Sequence, residues 1–202
     1  MRIIAFSDTH GHKVEVPNGD VLVFAGDYAA TGAHHDLIQF AQHYGAMPHP
    51  LKIFVAGNHD WACQRDSSWA KGVLKDFVVL EDSGLEWGGV SFYGTPWQPV
   101  FFDWAFNADS ERLVQYYEQI PTGVDVLITH CPRAGVLDLC KDGHVGSREL
   151  AFEFNRIKPK IHIFGHIHES HGFHDNGVTK SYNVSVCDKK YKPINPVTII
   201  DL

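Results

Sequence analysis

Nine short apolar runs punctuate the chain: Ile3 to Phe6, Val21 to Ala25, Ile53 to Ala56, Phe77 to Leu80, Val90 to Tyr93, Val124 to Ile128, Ile161 to Phe164, Tyr182 to Val186 and Val197 to Ile200. They are too short for helices of several turns and rich in β-branched residues, the character of strands buried on both faces. Between them, His34 to Tyr44, Ser67 to Lys75, Asp109 to Gln119 and Ser147 to Ile157 have helical character, the last with Leu150, Phe154 and Ile157 at helical spacing. Strand and helix alternate in the first half, and the last quarter reads as strands and turns. The expected fold class is therefore mixed α/β (α+β), two packed β-sheets flanked by helices rather than one doubly wound sheet. Neither repeat nor low-complexity tract nor linker interrupts it, so a single domain over residues 1–202 is expected.

Metal-ligating residue types recur where these runs end. Asp8 and His10 follow the first, two residues apart and so on one side of an extended chain. Asp27 follows the second behind Gly26, and Asn58, His59 and Asp60 follow the third behind Gly57. His130 ends Val124 to Ile128, and His166 and His168 follow Ile161 to Phe164 through Gly165. A glycine before the ligand suits a tight turn that brings backbone close to an ion. Two carboxylates, four imidazoles and one amide oxygen are too many ligands for one divalent ion that must leave room for substrate. They suit two ions sharing Asp27, typically ~3.5–4 Å apart with a hydroxide trapped between them.

Composition bears on the partner. The 202 residues hold 14 histidines and carry a formal charge of −7, which argues against stable binding to a nucleic-acid backbone. Two divalent ions, two Asp carboxylates and a hydroxide sum to about +1, so an anionic phosphate is attracted locally. Each motif alone also fits a polar turn, but unpartnered imidazoles buried beside a sheet cost free energy, and five such places in order point to metal. The nine other histidines read as surface or satisfied structural residues, with His171, near the His166 to His168 turn, as the exception. Cys63, Cys131, Cys140 and Cys187 form no CxxC pair and read as reduced packing residues. No run approaches the ~18 apolar residues of a membrane span, and Arg2 to Phe6 is too short for a signal peptide, so no membrane partner and a cytoplasmic location are expected.

Ser7-Asp8-Thr9-His10, Gly26-Asp27, Gly57-Asn58-His59-Asp60, Thr129-His130 and Gly165-His166-Ile167-His168 together resemble the five-motif signature of the calcineurin-like metallophosphoesterase superfamily. The resemblance implies a four-layer αββα sandwich with a dinuclear site. It implies that Asp8, His10, Asp27 and His168 hold one metal and that Asp27, Asn58, His130 and His166 hold the second. It implies further that His59 contacts the phosphate and protonates the leaving oxygen, with Asp60 orienting it. Oxygen and nitrogen ligands without thiolate suit manganese, the first expectation, with iron, zinc or cobalt as alternatives.

Thr95-Pro96-Trp97-Gln98-Pro99, Asp103-Trp104-Ala105-Phe106-Asn107, His168-Glu169, and Asn183-Val184-Ser185-Val186-Cys187 with Tyr191 and Asn195-Pro196 are similar to the metallophosphoesterase-domain-containing (239FB-type) proteins, among the class III cyclic nucleotide phosphodiesterases. Some members of that group have Gly in place of the residue matching His166 and are nearly inactive nucleotide binders. This chain keeps His, which implies a working enzyme. The expected activity is hydrolysis of a phosphodiester, a cyclic nucleotide with 2′,3′-cyclic favoured, by the metal-bridged hydroxide with His59 as general acid. A phosphomonoesterase and a non-catalytic nucleotide sensor or scaffold are the alternatives. Protein Ser/Thr phosphatases place Arg shortly after Gly-Asp, and Tyr28 to Gly32 has none. The stretch from Gly94 to Asn107, with five aromatic residues and two prolines, has two readings: an aromatic face of the loop Trp97 to Trp104, with Trp97 the first candidate, stacks on a nucleobase beside Asn58, His59 and His171, or the stretch is a satellite hydrophobic cluster.

Overall fold

The fold is built on two sheets, and the computed structural model describes residues 1–202. In the first sheet the strands run Thr198–Asp201, Arg2–Phe6, Val21–Ala25, Leu51–Val55 and Val78–Val79, all parallel except the first, which pairs antiparallel with Arg2–Phe6. In the second they run Gly172–Asp175, Lys180–Asn183, Ile161–Phe164, Val126–Thr129, Val90–Thr95 and Ser83–Trp87, with four parallel central strands and an antiparallel strand at each edge.

Alternation along each strand creates the layers. Ile3, Ala5, Val21, Val23, Ile53 and Val55 meet Phe92, Val126, Ile128, Ile161 and Ile163 between the sheets. On its other side the first sheet turns Ile4, Phe6, Leu22, Phe24 and Phe54 toward Leu37, Phe40 and Tyr44 of the helix His34–Gly45. The second sheet turns Tyr93 and Leu127 toward Leu113 and Tyr117 of the helix Ser110–Glu118, and toward Leu150, Phe154 and Ile157 of the helix Arg148–Ile157. The result is a four-layer αββα sandwich whose strands are apolar on both faces, the expected fold class. Burying each large apolar side chain stabilises it by about 1.5–3 kcal/mol.

Two strands that the apolar runs miss, Ser83–Trp87 and Gly172–Asp175, lie at the two edges of the second sheet, where residues face solvent and need not be apolar. The run from Phe77 to Leu80 shortens to the edge strand Val78–Val79, and a short helix, Trp61–Arg65, follows the third ligand turn. All four cysteines are unpaired. No helix is long and apolar enough to cross a membrane.

His162 departs from the expectation of a surface or satisfied histidine. It is fully buried between Phe154 and Phe164, with ring centroids 5.0 and 4.5 Å away. The Thr129 hydroxyl donates to Cys131 O at 2.6 Å, so its oxygen accepts from His162 Nε2–H at 2.9 Å, while Nδ1 has no partner. Burial, with the charge of Arg133 second, holds this imidazole well below the usual histidine range and neutral. The unfolded chain takes up that proton below pH ~6.5, so the stabilising effect is complete above that value and is lost as pH falls. Relative to His162→Leu, the unfolding free energy should drop as pH falls from 6.5 to 5, with a slope that approaches but does not exceed about 1.36 kcal/mol per pH unit. Denaturant unfolding across that range checks this, and a wild-type-to-variant difference that does not change with pH would refute it.

Candidate metal centre

The carboxyl ends of parallel strands from both sheets open at one rim, the place where α/β sheets present ligands. Asp8 and His10 leave the strand Arg2–Phe6, Asp27 leaves Val21–Ala25, and Asn58, His59 and Asp60 leave Leu51–Val55. Across the rim, His130 follows Val126–Thr129, and His166 and His168 follow Ile161–Phe164. Asp8, His10, Asp27 and His166 all have left-handed backbone, with φ of 54°, 44°, 65° and 69°. Such conformations cost free energy and persist where the surroundings enforce them. The glycines before the ligands have a steric reason here: a Cβ on Gly57 would collide with the Asp27 carboxylate, and one on Gly165 with Ser7 and the Asp8 carboxylate.

The side chains converge. Asp27 Oδ2 lies 3.4 Å from His130 Nε2, 3.8 Å from His59 Nε2 and 4.0 Å from His10 Nε2. Asp8 Oδ1 is 3.3 Å from His168 Nε2, which is 3.2 Å from His10 Nε2. Asn58 Oδ1 is 2.8 Å from His130 Nε2. Asp8–His10–His168, His10–Asp27–His59 and Asp8–Asp27–His130 each bring their donor atoms within 4.8 Å of one another. The His166 ring packs 5.0 Å from that of His130, and its backbone N–H donates to Asp8.

Backbone carbonyls set the imidazole orientations. Nδ1–H of His130 donates to Ala25 O at 2.8 Å, that of His168 to Asp188 O at 2.9 Å and that of His59 to Ala30 O at 2.7 Å. A carbonyl only accepts, so Nδ1 carries the proton in each ring and Nε2 points into the site, the arrangement that an acceptor behind the ring gives metal-binding imidazoles. A neutral His130 would then face the Asn58 oxygen with one lone pair against another, whereas His10, whose Nδ1 has no partner, can donate Nε2–H to His168 Nε2. A proton on His130 Nε2, or a cation in its place, reconciles that pair.

The electrostatics agree. Burial pushes the Asp8 carboxyl up, but His168 first, then His130 and His10, hold it well below the usual range. Asp27 follows the same pattern, with His130 as its main partner. Burial disfavours charge on His130 and His168 too, yet Asp27 raises the first to about 10 and Asp8 raises the second to about 9. His10 and His166 are pushed down to about 4 and about 3, burial dominating in both. Two ionised carboxylates are thus balanced by two protons, which a bound cation must displace. The residues therefore fit divalent cations: oxygen and nitrogen donors, buried, oriented from behind and positively compensated.

Asp60 does not orient His59, contrary to expectation. Its carboxylate accepts from the backbone N–H groups of Gly57 at 2.7 Å, Asp27 at 2.9 Å and Tyr28 at 3.0 Å, tying two ligand turns together. Burial, and next the Asp27 charge, push its carboxyl above the usual range. Trp97 is also displaced from its expected place: it stacks on Tyr116 at 4.1 Å and donates to Asp82 at 2.7 Å, outside the cleft over the ligands. Trp104 reaches the site instead, its ring 4.0 Å from that of His59, and Trp61 lines the cleft as well. His171 is half-buried and does not line the cleft.

Three residues of the quoted motifs gain a role that the resemblance did not assign them. Ser7 and Ser185 donate to Asp8 Oδ2, Ser185 at 2.7 Å, and Tyr191 stands edge-on to His10 at 4.6 Å. Ser185 and Tyr191 lie on the last stretch of chain, far in sequence from Asp8 and His10, and no spacing assigns them to those two residues. The cleft, about 800 Å³, is lined by Asp27, Asn58, His59, His166 and His168, with Trp61, Phe101, Phe102, Trp104 and Tyr191 as aromatic walls and with two cations, Lys141 and Lys189, and two acids, Asp103 and Glu169, at its edge.

Comparison with known proteins gives concordant results. A model described as calcineurin-like phosphoesterase matches residues 1–170. Human metallophosphoesterase domain-containing protein 1 is 36% identical over 230 aligned residues, covering 100% of this chain and 71% of that protein. A UPF0046 protein of Caenorhabditis elegans is 35% identical over 205 residues, covering 94% of this chain and 71% of its own length. The crystal structure of a Thermus thermophilus protein superimposes with a TM-score of 0.61 at 14% identity, covering 99% of this chain and 98% of that chain, a likeness of fold.

Proposed function

Because the chain belongs to the calcineurin-like phosphoesterase family, whose members are metal-dependent hydrolases of phosphate esters, we propose that it hydrolyses phosphodiesters and that cyclic nucleotides, 2′,3′-cyclic ahead of 3′,5′-cyclic, are its substrate class. The observation that carries this reading is the single oxygen Asp27 Oδ2, within 4.0 Å of three imidazole nitrogens at the floor of an open cleft. Asp8, His10, Asp27 and His168 would hold one divalent ion, and Asp27, Asn58, His130 and His166 a second, with manganese the first candidate. Bound there, such ions neutralise charge on phosphoryl oxygens and make water nucleophilic near neutral pH.

The chain's own residues do the rest. Asp8 and Asp27, ionised and buried, fix the cations, and Ser7, Ser185 and the His166 backbone N–H hold Asp8 in place. His59 is anchored through Nδ1 to Ala30 O and packed against Trp104, which leaves Nε2 directed into the cleft. In its protonated form it gives Nε2–H to the departing ester oxygen, worth about 10²–10⁴-fold.

A manganese-supplemented assay over bis(p-nitrophenyl) phosphate, p-nitrophenyl phosphate and the two cyclic nucleotide series tests the proposal. Diesters should turn over faster than the monoester, and 2′,3′-cyclic faster than 3′,5′-cyclic nucleotides. A chelator should abolish activity and added Mn²⁺ restore it. Absence of turnover on every compound by protein that has bound its metal would leave a nucleotide sensor instead.

A further inference from the structure

A second cavity, of about 440 Å³, opens beside the metal cleft, and Phe101, Lys141, His166 and Glu169 line both. One side of it is the stretch Pro99 to Phe101, and the other is the two-stranded hairpin Leu139–Cys140 and Gly143–His144 with Val145 beyond it. Both sides are held firmly. The Asn107 side chain accepts from Phe101 N–H at 3.3 Å and donates to Phe101 O at 3.3 Å and to Phe102 O at 2.9 Å. The wholly buried Asp138 carboxylate accepts from Gly135 N–H at 2.9 Å, Gly146 N–H at 3.1 Å and His144 Nδ1 at 2.6 Å.

The walls contrast with the metal cleft. Val100 is 64% exposed, Phe101 51% and Val145 39%, apolar surface left toward solvent at the mouth of a reactive site. Such surface is costly to leave uncovered and commonly marks a binding site. Charge decides the kind of occupant: Lys141 is opposed by Asp142 and Glu169, so the cavity offers no net positive charge to a second phosphate. A neutral, flat, apolar group fits both conditions.

Resting on the phosphodiesterase reading, we propose that this cavity is the subsite for the organic arm that stays on phosphorus, and that it selects diesters whose retained arm is an uncharged aryl or heteroaryl group over those with a small alkyl or an anionic arm. Val100, Phe101, Val145 and Ile167 cover the ring while the phosphate lies over the ligands, and Trp97 plays no part.

Two diesters with one leaving group test it: phenyl p-nitrophenyl phosphate and methyl p-nitrophenyl phosphate. Their chemical step is shared, so the ratio of their kcat/KM values reports the retained arm. The wild type should favour the phenyl ester by about tenfold or more, a modest return for covering an aromatic ring. Val145→Asp and Phe101→Ser should each bring the ratio near unity while thermal unfolding shows both variants folded. A wild-type ratio near unity, or one that survives both substitutions, overturns the proposal. If neither ester turns over, the phosphodiesterase reading has failed, and the subsite is then read by calorimetric binding of phenylphosphonate against methylphosphonate to the Mn²⁺-loaded protein. Tighter binding of the phenyl compound, lost in Val145→Asp, supports the subsite, and equal binding sinks it.

Discussion

Asp27→Asn is expected to lower phosphodiesterase kcat/KM by about 10³-fold or more, because it weakens both cations at once and forfeits several kcal/mol of transition-state charge stabilisation. Asp27 Oδ2 is the oxygen nearest to His130, His59 and His10 together, and Oδ1 accepts the His59 backbone N–H at 2.8 Å. Asparagine keeps the shape and removes the charge. Elemental analysis after dialysis should show the bound metal falling with activity. Full metal content with near-normal turnover would end the shared-ligand assignment. A second readout concerns pH. The protons on His130, held up to about 10 by Asp27, and on His168, held up to about 9 by Asp8, must leave before Nε2 can bind a cation. The Mn²⁺ concentration for half-saturation should therefore fall as pH rises from 6 to 9. Without the Asp27 charge, burial controls His130, the proton is lost more readily, and that pH dependence becomes shallower.

His59→Ala is expected to lower kcat on cyclic nucleotides by about 10²–10⁴-fold while metal content is unchanged. The geometry leaves a competing role open, since His59 Nε2 is 3.8 Å from Asp27 Oδ2 and groups with His10 and Asp27 within ligand range. The leaving group separates the two roles. A ribose alkoxide needs a proton to depart, whereas p-nitrophenolate leaves as the anion. An acid lost from position 59 therefore costs far more on a cyclic nucleotide than on bis(p-nitrophenyl) phosphate. A ligand lost from position 59 costs both alike and lowers metal stoichiometry. Equal losses accompanied by loss of metal would make His59 a ligand. Trp104→Ala should affect the same step more weakly, because Ala30 O still holds the ring.

Some of this was legible along the chain because it is local. Strand runs such as Val21–Ala25 are apolar on both faces, and the ligand-bearing turns that follow them repeat the order Asp-x-His, Gly-Asp, Gly-Asn-His-Asp, His and Gly-His-x-His. Edge strands such as Gly172–Asp175 escaped notice because a half-solvated strand carries no continuous apolar run. A tight turn accounts for only part of the need for glycine: Gly57 and Gly165 make room for the carboxylates of Asp27 and Asp8, which belong to other turns.

The sequence by itself determined the strand framework, the family resemblance and which residue types gather at the rim, since strand period and turn chemistry are properties of neighbouring residues. Tertiary structure alone decided which side chains face one another across that rim. Ala105 N–H donates to Asn58 O at 2.9 Å, which fastens the aromatic stretch to the ligand turn and sets Trp104, not Trp97, over His59. Asp60 spends its carboxylate on three backbone N–H groups rather than on an imidazole, because those donors lie buried within reach and have no other acceptor there. Ser185 and Tyr191 reach Asp8 and His10 only when the last strands close against the first, a long-range contact that no spacing along the chain encodes.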